Sequence, residues 1–176
     1  MLIIANNLLK NIELNNLLEI CYKFDNQLFQ KIDKQKIPDN NYNRLYVKNY
    51  LLKSYYDNLN EFLNQNISET KINSLDLSKP NSWINMVTTE TNKYDRFHHD
   101  NASLSVVTYL NDNFESGEFE YVDSKNKKSI KIKPELNKTL IMDETLPHRV
   151  LPIKNGVRFS LVTFYEFTAK KQKSLI

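Results

Sequence analysis

The sequence predicts an α+β protein, with a helical first third followed by a β-rich remainder that closes into a sandwich or barrel. Three observations lead there. Apolar residues recur at helical spacing up to about Asn66, the period drops to two from Trp83 onward, and no helix-length insert interrupts the later strand-like runs. A length of 176 residues suits one domain with its own core. Hydrophobic residues at 40% against 26% charged residues exclude a chain disordered throughout.

Leu2 to Ala5 is a short apolar start. Leu14, Leu17, Leu18, Cys21 and Phe24 then share one helical face, with Glu13, Asn15, Asn16 and Lys23 opposite. A second helix is expected from about Tyr42 to Asn66, carrying Leu45, Leu52, Tyr55, Leu59, Phe62 and Leu63. Pro38, Asp39 and Asn40 separate the two. Tyr50, Tyr55, Tyr56 and Phe62 are expected in the core, and Ile67 to Asn81 reads as a polar connector. Roughly eight strands should follow: Trp83 to Thr89, Tyr94 to His99, Ser103 to Leu110, Glu118 to Val122, Ser129 to Lys133, Thr139 to Met142, His148 to Ile153 and Val157 to Phe167. Asn155 and Gly156 are the strongest reversal signal, because both residues of so tight a turn favour positive φ. Gly117 marks another turn. The organisation expected is a single domain over 1–176, with helical support in 1–67, a β unit in 83–167 and a loose tail in 168–176.

Composition narrows the function classes. No apolar run approaches the about eighteen residues that span a bilayer, and Met1 to Lys10 lacks the pattern of a secretory signal, so a soluble, cytoplasmic protein without a membrane partner is expected. The lone Cys21 allows no internal disulfide and reads as a buried structural thiol. A net charge of +3 is spread along the chain, so nucleic acid is not the expected partner. The basic stretch Lys125 to Lys133 alternates Lys with Ile130 and Ile132, as a half-exposed strand does.

The chemistry sits in the β-rich part, where all three histidines lie. In Phe97, His98, His99, Asp100, strand alternation puts His98 and Asp100 on one face and turns His99 away. His148, at the start of a later strand, is a third candidate ligand. Two imidazoles and a carboxylate on a sheet make a facial set that holds one side of an octahedral metal and leaves three positions open; iron(II) suits it, and zinc is the rival. Arg158 follows His148 by ten residues, and strand alternation puts Ser160 on its face. A guanidinium with a hydroxyl beside it suits a carboxylate, because a buried anion needs donors to offset its desolvation. Tyr94, Arg96, Asn101 and Arg149 flank the presumed ligands and are candidates for a substrate mouth.

The order of His98 and Asp100, then Thr108, Tyr109, Leu110, Asn111, then Gly117, Glu118, Phe119, then His148, Val150, Pro152, Gly156, Arg158 resembles the prolyl 4-hydroxylase-like branch of the iron(II) and 2-oxoglutarate-dependent dioxygenases. The resemblance covers about Trp83 to Phe167. It implies a double-stranded β-helix (jelly-roll) core with the N-terminal helices packed on one sheet. It further implies iron(II) on His98, Asp100 and His148, with these three as the catalytic set. The cosubstrate 2-oxoglutarate would be held by Arg158 with Tyr109 and Ser160, with O2 as the oxidant and ascorbate as a reductant. Many members of the branch have Lys where Arg158 stands, and often a second Gly where Ser116 stands, a departure expected to affect a turn and leave the site alone. Halogenating relatives lack the carboxylate of Asp100, so its presence favours hydroxylation.

The activity implied is hydroxylation of a prolyl residue in a peptide or protein. Two alternatives remain: a 2-oxoglutarate oxygenase acting on a small molecule or a nucleic-acid base, and a non-catalytic β-helix binding module. The base-acting branch typically places a second Arg six residues after the first, where this chain has Phe164. The retained ligands and Arg158 disfavour the non-catalytic reading.

Overall fold

The computed structural model describes residues 1–23, 30–31, 43–91 and 96–168. Seven strands form the large sheet, in the spatial order β1-β9-β5-β12-β4-β3-β2. In chain order these are β1 (Leu2–Asn6), β2 (Gln30–Lys31), β3 (Asn43–Tyr46), β4 (Asn81–Thr88), β5 (Leu104–Tyr109), β9 (Lys138–Asp143) and β12 (Val157–Tyr165). The remaining strands make two small ladders: β7 (Phe119–Val122) between β8 (Ser129–Ile132) and β10 (His148–Val150), and β6 (Glu115–Ser116) with β11 (Ile153–Asn155). All the strand pairings are antiparallel. The helices are α1 (Asn11–Lys23), α2 (Lys53–Asn66) and the single turn α3 (Glu69–Ile72). This is the expected α+β jelly roll.

Strand alternation gives the large sheet two different faces. Phe159, Leu161 and Tyr165 of β12 join Ile84, Met86, Leu104, Val106 and Ile141 in a core closed by Leu14, Leu17 and Cys21 of α1 and Tyr55, Leu59 and Leu63 of α2. Buried hydroxyls bridge this interface: Tyr55 Oη lies 3.1 Å from Thr108 Oγ1, which lies 2.8 Å from Thr139 Oγ1. Burial pushes the Tyr55 phenol up to about 12, and the Cys21 thiol likewise to about 12, so neither ionises near neutrality. The opposite face packs Tyr109, Leu140 and Met142 against Phe119 and Leu146.

Several local expectations change. Asn43–Tyr46 is a strand, where the helix from Tyr42 was expected, because Arg44 and Leu45 pair with Asn85 and Ile84; tertiary pairing overrides the helical spacing that Leu45 shares with Leu52. The following 3₁₀ turn, Asn49–Leu52, buries Leu52 and leaves Tyr50 71% exposed, so Tyr50 is outside the core. The apolar start pairs with β9, Leu2 opposite Met142. Of the strand expected over Tyr94–His99, the described part holds only an isolated bridge at His98. His148–Ile153 breaks in two at Leu151 and Pro152, where proline brings no N–H to a ladder. The positive φ values expected of Asn155 and Gly156 belong to Gly156 alone, whereas Ser116 (φ 69°) and Gly117 (φ 77°) are consecutive left-handed residues. Phe24, Pro38, Asp39, Asn40, Tyr42, Tyr94 and the tail Ala169–Ile176 lie outside the described residues.

Candidate active site

A cavity of about 110 Å³ lies between the large sheet and the ladder of β7, β8 and β10. The large sheet supplies Trp83, Asn85, Val107, Tyr109, Arg158 and Ser160 to its wall, and the small ladder supplies Phe119, His148 and Val150. His98 and Asp100 reach in from the segment before β5.

Backbone pairing draws the two histidines together. His98 N donates to His148 O at 2.9 Å, and His148 N donates to His98 O at 3.0 Å. Each imidazole is then oriented through Nδ1, by the Arg96 carbonyl at 3.0 Å for His98 and the Leu146 carbonyl at 3.0 Å for His148. A carbonyl only accepts, so Nδ1 carries the proton and Nε2 keeps its lone pair, the arrangement by which a metal-binding histidine is fixed. Both Nε2 atoms face Asp100: His98 Nε2 lies 3.8 Å from Oδ1, and His148 Nε2 lies 3.7 Å from Oδ2. One ligand atom from each of the three residues falls within 4.8 Å of the others. Phe119 stacks on His148 with ring centroids 5.2 Å apart, which backs the more buried imidazole. Two imidazole nitrogens and one carboxylate in a cluster open to a cavity are a donor set that fits iron(II).

Arg158 lies on the central strand β12 and is 3% exposed. Its Nη1 donates to the Gly117 carbonyl at 3.2 Å, while its buried Nε has no hydrogen-bond partner among the described residues. A guanidinium buried this deeply with an unused donor is costly unless an anion completes it, so the cavity fits a carboxylate ligand at that end. Asn111 clamps this strand: its Nδ2 donates to Val157 O at 2.7 Å and its Oδ1 accepts from Phe159 N at 2.8 Å. Tyr109 and Ser160 sit directly opposite each other in the β5–β12 register. Burial pushes the Tyr109 phenol up to about 12 against the opposing pull of the Arg158 charge, so it stays a donor at neutral pH.

The Ser116–Gly117 turn was expected to leave the site alone, yet it borders it. Besides the Gly117 carbonyl at Arg158, a Cβ on Gly117 would lie 2.7 Å from Ile153 Cγ2 and 3.2 Å from Arg158 Nη1. Glycine is required there both for its φ and for this close approach.

The candidates for the substrate mouth are placed less tightly. Arg96 and Asn101 are exposed. Arg149 donates from Nε to Glu120 Oε2 at 2.6 Å, and its guanidinium lies 4.4 Å from the Phe97 ring centroid. His99 turns outward, its Nδ1 3.1 Å from the Glu144 carbonyl. Sequence reasoning missed Arg44, which lines the cavity from β3 with its guanidinium stacked 4.5 Å from the Trp83 ring centroid. The helical reading of 42–66 hid it.

Residues 83–166 match the family model of the 2OG-Fe(II) oxygenase superfamily. No curated protein matches the sequence. Solved structures resemble the fold over nearly the whole chain. A prolyl hydroxylase from Trichoplax adhaerens, in complex with a hypoxia inducible factor oxygen degradation domain peptide fragment, has a TM-score of 0.78 at 16% identity, covering 99% of this chain and 86% of its own. A Pseudomonas putida prolyl-4-hydroxylase has a TM-score of 0.72 at 14% identity, covering 96% and 93%. The viral collagen prolyl hydroxylase of Paramecium Bursaria Chlorella virus-1, in a 2OG complex, has a TM-score of 0.64 at 18% identity, covering 93% and 94%. At these identities the likeness is one of fold.

Proposed function

We propose that this chain, a dioxygenase of the iron(II), 2-oxoglutarate and O2 class by the match of residues 83–166 to the 2OG-Fe(II) oxygenase superfamily model, hydroxylates a prolyl residue in a peptide or protein. The whole chain works as one unit in this reading, with 1–67 supporting the β structure and the cytoplasm as its compartment. The observation that carries the reading is one cavity with a His-Asp-His cluster and a buried, under-partnered guanidinium on its walls.

His98, Asp100 and His148 would hold iron(II), and Arg158 the distal carboxylate of 2-oxoglutarate, with Tyr109 and Ser160 as further donors. When bound, iron and 2-oxoglutarate supply the oxidising chemistry: O2 converts 2-oxoglutarate to succinate and CO2, and a substrate C–H becomes C–OH. The chain's own residues position and exclude. The Arg96 and Leu146 carbonyls keep both imidazoles in the ligating tautomer. Arg158 matches a carboxylate with a planar, two-point grip that Lys would not give. Asn111 fixes the backbone on either side of that arginine. Val107, Phe119, Val150 and Val162 wall the cavity with apolar surface, which limits water around the reacting groups.

The test is succinate release from the iron-loaded chain, with mass spectrometry of the products. Proline-containing peptides should drive succinate formation above the uncoupled background and gain the mass of one oxygen atom. Turnover confined to non-peptide small molecules or nucleic-acid bases would overturn the prolyl assignment.

A further inference from the structure

The cavity holds a second cationic position that the iron and 2-oxoglutarate seats do not use. In the large sheet, Arg44 pairs with Asn85, Asn85 with Ser160, and Ser160 with Tyr109. Residues opposite one another in antiparallel strands share a face, so these four form one polar row across β3, β4, β12 and β5, and all four line the cavity. Neighbouring strands are spaced about 4.8 Å apart, which puts Arg44 two strands, roughly 10 Å, from Ser160. The row has a 2-oxoglutarate end at Tyr109 and Ser160, near Arg158, and a far end at Arg44.

That far end is built for an anion. Arg44 Nε is buried and has no hydrogen-bond partner among the described residues. Its guanidinium is held against the Trp83 ring, 4.5 Å from the centroid, which fixes the plane of the fork. Trp83 Nε1 donates to Asn85 Oδ1 at 2.8 Å, so the amide is oriented and its Nδ2 is left as a donor. Around Arg44 the wall therefore offers a positive charge with an unused Nε–H and the oriented Asn85 amide donor. Charge points the same way. Iron(II) with 2-oxoglutarate would be neutral as a pair and Asp100 offsets Arg158, so among the described residues lining the cavity the Arg44 charge is the one left unbalanced.

We propose that Arg44, Asn85 and Trp83 form a specificity subsite that binds the carboxylate of an Asp or Glu side chain near the hydroxylated residue of the peptide substrate. The proposal rests on the peptide reading above. A side-chain carboxylate matches the guanidinium fork bidentately, and Arg44 lines the same cavity as His98, Asp100 and His148.

Trp83 is the only tryptophan in the chain, so its fluorescence reports occupancy of this subsite without turnover. The experiment titrates the full chain, loaded anaerobically with iron and 2-oxoglutarate, with pairs of proline peptides that differ only in Glu against Gln beside the proline. The Glu peptide should shift the Trp83 emission and bind about tenfold more tightly, with the advantage shrinking at high salt. Arg44→Gln should bring the ratio to about one while leaving 2-oxoglutarate affinity unchanged. Arg44→Lys, which keeps the charge, should retain part of the preference. Equal affinity of the parent for both peptides overturns the subsite, and so does a loss of 2-oxoglutarate binding in Arg44→Gln, which would assign Arg44 to the cosubstrate. A peptide pair with alanine in place of proline separates the two readings: a persisting Glu preference supports the subsite, even if no proline peptide is ever hydroxylated.

Discussion

The two faces of the large sheet are both buried and do opposite things with their burial. On the helix side, Leu104, Leu161 and Tyr165 are fully buried in an apolar core, and the hydroxyls of Tyr55, Thr108 and Thr139 find one another. On the other face, Arg158 of β12 keeps an unused donor among the described residues and Arg44 of β3 another. One face is satisfied by the fold and the other is completed only by ligands. A strand's period of two lets a single element such as β12 serve both purposes, because alternate side chains never share a face.

The largest effect should come from the unsatisfied side. Asp100→Ala or His148→Ala removes one of three ligands, and succinate formation should drop to background while the thermal midpoint of the metal-free chain stays close to that of the parent. Isothermal titration with a divalent metal and a thermal melt check the two halves. A ligand variant that melts early would mean that the cluster supports the fold instead.

Arg158→Met sharpens the contrast further. Losing one charge-assisted, two-point contact of roughly 3 kcal/mol should weaken 2-oxoglutarate binding on the order of 100-fold. The same change exchanges a buried, under-partnered guanidinium for an apolar side chain of similar length, so stability should hold or rise. Arg158→Lys should fall between, since the charge remains and the fork is lost. Intact 2-oxoglutarate affinity in Arg158→Met would move the cosubstrate anchor elsewhere in the cavity.

Leu161→Ala, on the satisfied face, should show the reverse pattern. A cavity left by a fully buried leucine costs about 2–5 kcal/mol, which in a chain of this size lowers the melting midpoint by roughly 5–15 °C. At temperatures where the variant is folded, 2-oxoglutarate affinity should match the parent.

How much of this was readable in the sequence follows from the range of the signals. His98 and Asp100 meet in a segment that is no strand beyond the bridge at His98, so their closeness in sequence and not strand alternation explains that pair. Arg158 and Ser160 lie on one strand, so local alternation was enough to put that pair on a common face. The strand series from Trp83 was readable for the same reason, and the order of separate segments made the family resemblance specific. What stayed hidden depends on long-range partners. Arg44 is a cavity residue only because β3 pairs with β4, and nothing in its own neighbourhood competes with the helical spacing of Leu45 and Leu52. Asn111 is among the residues that carry the family resemblance, but its role runs through backbone atoms of Val157 and Phe159, far along the chain, so no local pattern states it. Tyr50 was expected in the core from residue type, but the 3₁₀ turn gives the buried place to Leu52.

The smallest effect separates the rim from both faces. Glu120 is buried and accepts hydrogen bonds from Arg149 Nε and Ser129 Oγ. The Arg149 contact first, and then the Ser129 hydroxyl, hold its carboxyl below the ordinary value of 4.5. A carboxyl whose folded pKa is depressed adds stability that is complete above its unfolded pKa and is lost as pH falls through the folded one. The Glu120 contribution should therefore be intact at neutral pH and fade in acid below about 4.5. Arg149→Ala removes the main cause of the depression, so parent and variant should differ in stability at neutral pH and converge in acid. Denaturant melts across that range measure the convergence. A gap that is constant with pH would mean that Arg149 contributes through its packing on the Phe97 ring and not through the carboxylate.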